Sequence, residues 1–171
     1  EEKSKTSRSE QVKFLGMTIV NGTIAIAKAS YKKAMEKVKS LIPRGTHLPI
    51  EQAMEDINRW YQGWSLYFKM TEYPAQLKGI EAHIRRRLRS RIVSQQKKRR
   101  HLMSKLRKRG VGKRLAFTTA YSNRRTWALS HARGVEKGYP VKWFVERVGQ
   151  FIRSNAKLPH WFGISKWVKL T

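Results

Sequence analysis

Between Glu81 and Glu136 the chain has no acidic residue, and that 54-residue interval carries eighteen Lys or Arg. The run is patterned. Ile84, Leu88 and Ile92 recur at helical spacing within Arg85-Arg86-Arg87-Leu88-Arg89-Ser90-Arg91, which places the charges on an amphipathic helix with one apolar stripe. On this reading Arg85, Arg86, Arg89 and their neighbours cover the other two-thirds of the helix. Like charges at i, i+4, such as Arg85 with Arg89 and Arg87 with Arg91, destabilise a helix by roughly 0.2–0.5 kcal/mol each. A merely solvated face mixes both signs; this one does not.

A chain with 38 Lys and Arg against 11 acids, net +27, repels itself unless a polyanion neutralises it. Phosphate backbones do so with release of condensed counterions. A membrane-surface protein would concentrate its bases beside an apolar insertion face, whereas here they spread along the chain. No stretch approaches the ~18 apolar residues of a membrane span. The preference for Arg near residue 85 suits bidentate phosphate contacts and stacking. The predicted RNA-contacting residues are Arg85, Arg86, Arg87, Arg89, Arg91, Lys97, Lys98, Arg99, Arg100, Arg107, Lys108, Arg109, Arg124 and Arg125.

The fold expected is mainly α with one N-terminal β-hairpin. Val12 to Val20 and Thr23 to Ile26 flank Asn21-Gly22, the dipeptide that suits a type I′ turn. Ser30 is read as the N-cap of a helix over 31–42, with Ala34, Met35, Val38, Leu41 and Ile42 inward. Beyond Pro49, residues Ile50, Ala53, Met54, Ile57, Trp60, Tyr61, Trp64 and Phe68 form a second stripe, and these aromatics are read as core. A third, long helix runs from Leu77 to Leu106, with a break predicted between Val93 and His101, where the stripe lapses; Gly110 and Gly112 close it. Short helices are expected over 113–121, 126–133 and 140–153. Gly63, in mid-helix, costs about 1 kcal/mol relative to Ala, which predicts close helix approach or an RNA contact. Asn58 reads as a polar core residue or an RNA contact, and Trp127 and Tyr121 as core or nucleic-acid contacts.

Catalytic machinery is absent. Asp56 is the only aspartate and the ten glutamates are scattered, whereas two-metal phosphoryl transfer needs clustered carboxylates. With no cysteine there are no disulfides, thiolate zinc sites or thiol nucleophiles, which fits an intracellular setting. Arg109-Gly110-Val111-Gly112-Lys113 lacks the spacing of a phosphate-binding loop. His47, His83, His101, His131 and His160 are never paired at i, i+3 or i, i+4, so they read as surface or phosphate-contacting residues, with no metal site expected.

Asn58-Arg59-Trp60-Tyr61-Gln62-Gly63-Trp64-Ser65-Leu66-Tyr67-Phe68, followed by Ile84-Arg85-Arg86-Arg87-Leu88-Arg89, resembles the maturase-specific (X, or thumb) domain of group II intron reverse transcriptases. That family's pattern is an Asn, a Gly-Trp, a Tyr-Phe and then an Arg-Arg-x-Leu. Phe14-Leu15-Gly16-Met17-Thr18-Ile19 resembles the end of the family's palm, and Trp127-Ala128-Leu129-Ser130 its later maturase region. The resemblance spans roughly residues 12–154. It implies a helical thumb bundle that grips intron RNA, assisting splicing, and a template–primer duplex.

On this basis residues 1–28 are a polar lead and palm hairpin, 29–109 the thumb, and 110–171 a basic helical extension. The implied partners are RNA, an RNA–DNA duplex, and the fingers and palm of the same enzyme, with no membrane. The setting is the cytoplasm or an organellar matrix. The chain does not begin with Met, which reads as a piece of a longer protein. The family's Tyr-x-Asp-Asp motif is missing, so no cofactor is expected in this chain, and Mg²⁺ would belong to the parent polymerase. The alternative is the thumb of a non-intron reverse transcriptase, from a retroelement or defence system, holding an RNA–DNA hybrid. A basic ribosomal-type scaffold fits less well, because the cations here ride on a patterned helix.

Overall fold

The computed structural model describes residues 13–144. Asn21 and Gly22 take φ of 51° and 75°, the positive values a type I′ turn demands. Met17–Val20 (β2) accordingly pairs antiparallel with Thr23–Ile26 (β3). The hairpin gains a strand that was not anticipated: Lys13–Phe14 (β1) pairs with the other edge of β2. The intervening turn has Leu15 and Gly16 at φ 50° and 78°. Leucine rarely enters the left-handed region, so composition gave no hint of this turn.

An isolated hairpin is marginal in water, and this one leans on the segment after the second helix. The Glu72 amide donates to the Ile24 carbonyl at 2.9 Å, and its carboxylate accepts from the Ile24 amide, also at 2.9 Å. Gln76 bonds both backbone groups of Ile26 at 2.8 Å. These contacts occupy the edge of β3 that would otherwise be open for pairing. Ile26, Phe68 and Leu77 make a small apolar cluster beneath the sheet.

Eight helical segments follow among the described residues. Helix α1 spans Lys28–Leu41 and α2 spans Ile50–Tyr67. The first begins ahead of the expected Ser30 cap, because the Ala27 amide is tied to the Gly16 carbonyl at 2.9 Å and its own carbonyl accepts from Tyr31 at 3.0 Å. Helix α3, Pro74–Ser94, carries proline in its first turn, where a missing N–H costs nothing. The predicted break falls after Ser94, and α4 resumes at Arg99–Lys108. Its end is a Schellman motif: Gly110, at φ 78°, donates to the Arg107 carbonyl and Val111 to that of Leu106.

Helix α5, Lys113–Ala120, folds back along α4. The helix expected over 126–133 is two: α6, Thr126–Leu129, and α7, Arg133–Gly138. Residues 141–144 are helical again; the rest of the helix expected over 140–153, and the aromatic stretch 158–163, lie outside the described residues. The larger apolar core runs from Ala34 on α1 to Phe144, taking in Ile57, Tyr61, Ile84, Leu88, Leu106 and Val135. Trp60 and Trp64 pack on its margin, half-buried. Among the described residues no helix is long and apolar enough to cross a membrane.

Candidate nucleic-acid interface

The arginines of α3 do not form an outward basic face. Arg87, Arg89 and Arg91 are 6%, 9% and 0% exposed, so the expectation that they meet phosphate is corrected: each guanidinium is committed to protein carbonyls. Arg87 Nη2 donates to the Ile42 carbonyl at 2.8 Å and to that of Lys39 at 3.1 Å, closing the C-terminal end of α1. Those are the carbonyls a helix end leaves without partners. Arg89 Nε donates to the Tyr139 carbonyl at 3.0 Å, and its Nη1 lies 3.4 Å from Glu136. Arg91 donates from Nη2 to the carbonyls of Leu48 and Pro49, fixing the approach to α2.

Burial holds Arg85, Arg87, Arg89 and Arg91 below the usual guanidinium range, but arginine stays charged at any physiological pH. Buried charge persists only where hydrogen bonds replace water, and here backbone carbonyls do so in part, since Arg87 Nε and the Nε and Nη1 of Arg91 are buried without a hydrogen-bond partner.

The two remaining arginines of the run are half-buried. Arg85 sits 3.8 Å from Glu81, a buried carboxylate that also accepts from Tyr61 Oη at 3.4 Å. Burial, reinforced by Glu81, pushes the Tyr61 phenol well above its usual range, so it remains a donor. Arg86 lies over the Trp127 ring, 4.1 Å from its centroid, and reaches the Trp127 carbonyl at 3.5 Å. Arg44 approaches the same ring at 5.9 Å. Trp127 is thus clamped between α3 and the loop after α1, which accounts for one of the two ambiguous aromatics.

The accessible cations lie further along. Lys97, Lys98, Arg99, Arg100, Arg107, Lys108, Arg109, Arg124 and Arg125 are all exposed. Helix α4 presents a concave patch of about 420 Å³ lined by Arg100, Met103, Ser104, Arg107 and Lys108. Arg109 is less available than its exposure suggests, because its guanidinium rests 4.4 Å from the Tyr139 ring and 4.3 Å from that of Trp143.

Sequence reading missed several exposed cations. Lys105, Lys113 and Arg114 extend the α4–α5 surface. Lys32, Lys39 and Arg44, with Glu36, His83 and Trp127, line a second hollow of about 460 Å³ between α1 and α3. The lysines at 28, 32, 33, 37 and 39 are all exposed, and their polar spacing on α1 was the signal available. Two other expectations resolve differently. Nothing lies within 4 Å of a side chain built at Gly63, so close helix approach does not explain that glycine. Asn58 turns its Oδ1 inward, where it is buried.

Among the described residues no three of His, Asp and Glu come together to hold a metal ion, and the sole aspartate, Asp56, lies on α2.

Residues 31–110 match the family model of the group II intron, maturase-specific domain. No curated protein matches the chain.

Proposed function

We propose that this chain, whose residues 31–110 match the group II intron, maturase-specific domain, binds intron RNA through the exposed cations of α4 and α5 and thereby assists splicing. The observation that carries this reading is the surface itself. Lys97 to Arg100, Lys105, Arg107, Lys108, Lys113 and Arg114 are solvent-facing, with no acidic residue anywhere between Glu81 and Glu136 to neutralise them. The buried arginines of α3 hold the scaffold that presents those cations. As a thumb, the same surface would hold a template–primer duplex, with the fingers and palm as partners. Any Mg²⁺-dependent polymerisation belongs to carboxylates outside this chain. The family match favours intron RNA over the substrate of another kind of reverse transcriptase.

The test is filter binding of the full chain to a structured group II intron RNA across a salt series. If six or more phosphates are neutralised, affinity falls ~10³-fold or more between 50 and 200 mM salt. Replacing Lys97, Lys98, Arg99 and Arg100 together with alanine flattens the logarithmic salt slope by about 0.7–0.9 for every phosphate that is no longer neutralised. A flat titration of the unaltered chain, or an unchanged slope in the variant, would overturn the assignment.

A further inference from the structure

Helix α5 leaves two aromatic rings in the open. Phe117 is 51% and Tyr121 41% exposed, although the opposite side of the helix is buried through Ala116, Thr119 and Ala120. The two rings lie nearly parallel, at 25°, with centroids 4.7 Å apart. Cations stand on either side of them. Lys113 and Arg114 stand one turn before Phe117, both exposed. At the other end Arg99 reaches the Tyr121 carbonyl at 3.5 Å, and Arg124 and Arg125 follow, also exposed. Single exposed aromatics are ordinary on protein surfaces. A stacked pair flanked by cations has the two features that single-stranded nucleic acid requires: a π-face for each base and positive charge for the backbone between them. A duplex hides its base faces in its own stack and can use only the charge.

We propose that Phe117 and Tyr121 form a stacking platform for unpaired bases of RNA, with Lys113, Arg114 and Arg99 holding the flanking phosphates. This rests on the RNA-binding reading above and adds to it a preference for unpaired segments. Any base is accepted, because every base has a π-face.

The experiment measures binding of the full chain to a short unstructured RNA carrying 2-aminopurine and to an RNA duplex of the same length, at one salt concentration. In the unaltered chain, stacking on the rings changes 2-aminopurine fluorescence. Phe117→Leu with Tyr121→Leu keeps apolar bulk but removes the π-faces. Single-strand affinity then falls roughly tenfold or more, the fluorescence change disappears, and duplex affinity stays within about twofold. Phe117→Trp with Tyr121→Trp retains single-strand binding. Thermal melting of both variants matches the unaltered chain, since neither ring is in the core.

An equal drop in affinity for both probes, or no drop for either, overturns the platform while leaving the RNA-binding reading intact. Full retention by the leucine variant assigns the pair to an apolar protein contact instead. If the unaltered chain binds neither probe, the RNA-binding reading fails and the platform falls with it.

Discussion

Arg87 on α3 donates to the carbonyl of Ile42, 45 residues earlier, across 2.8 Å, and both residues are buried. The contact turns a residue of the most basic stretch in the chain into the cap of another helix. Removing it strands the last carbonyls of α1 in the interior. Arg87→Ala is therefore expected to lower stability by about 2–3 kcal/mol, the worth of a charged hydrogen-bonding group. Arg87→Lys recovers little, since an ammonium lacks the planar fork. Arg99→Ala with Arg100→Ala, both exposed, is expected to change stability by less than about 0.5 kcal/mol. Urea melts of the three proteins, read by circular dichroism, check the ordering. Equal stability for Arg87→Ala and the exposed double variant would contradict the capping role.

The aromatic stripe of α2 is graded from core to margin. Tyr61 is 0% exposed, whereas Trp60 and Trp64 are half-buried. Tyr61→Ala is expected to cost ~3–5 kcal/mol, as loss of a buried aromatic does. Trp64→Ala removes less area from the interior and is expected to cost roughly 1–3 kcal/mol. Tyr61→Phe keeps the ring but takes a donor from Glu81, at about 1–2 kcal/mol. Chemical denaturation midpoints of the three variants give the ranking, and a larger effect at Trp64 than at Tyr61 would contradict it.

His83 supplies a pH dependence. Burial, then the nearby Arg87 and Arg86 charges, hold its imidazole below the ordinary value of 6.5, and its ring lies 5.8 Å from that of Trp127. Below pH 6.5 the unfolded chain takes up a proton that the folded chain resists. The unfolded state then binds more protons, and stability falls with pH until the folded-state value is passed. The slope contributed is at most about 1.4 kcal/mol per pH unit. His83→Gln is expected to flatten the melting temperature between pH 7 and 5 relative to the unaltered chain. A steeper acid loss in the variant would reverse the sign assigned here.

Two glycines should respond oppositely to alanine. At Gly63 a methyl group meets nothing within 4 Å, so Gly63→Ala is expected to stabilise α2 by about 1 kcal/mol through helix propensity alone. At Gly134, in α7, the same methyl would fall inside contact distance of the Thr119 side chain on α5. Gly134→Ala is therefore expected to destabilise by roughly 1–3 kcal/mol. Thermal melts of the pair decide it. If Gly63→Ala left stability unchanged yet weakened RNA binding, that glycine would belong to the interface.

The aliphatic positions of α1 to α4 were legible because burial there follows helical period. Ile80, Ile84, Leu88 and Ile92 line one stripe, and the structure buries every one. The break before α4 was legible for the complementary reason: no apolar residue lies between Val93 and Leu102 to hold a straight helix against the core. The Asn21-Gly22 turn was legible from local backbone chemistry. By contrast, the β1–β2 turn depends on Leu15, whose carbonyl is held by Tyr67 at 2.9 Å, 52 residues on.

What the sequence determined by itself was a basic, mainly helical chain with one helical stripe per core helix, because period and net charge are properties of neighbours along the chain. What only the tertiary structure decided was which cations meet solvent. Arg87, Arg89 and Arg91 share their stretch and their chemistry with cations that stay exposed, and local pattern cannot separate the two kinds. The difference lies in distant backbone: the carbonyls of Ile42, Tyr139 and Leu48 arrive beside α3 only when the chain has folded. A guanidinium enters the interior where such acceptors stand ready to replace its water. Along α4 and the start of α5 the cations stay exposed, and there the charge remains outside.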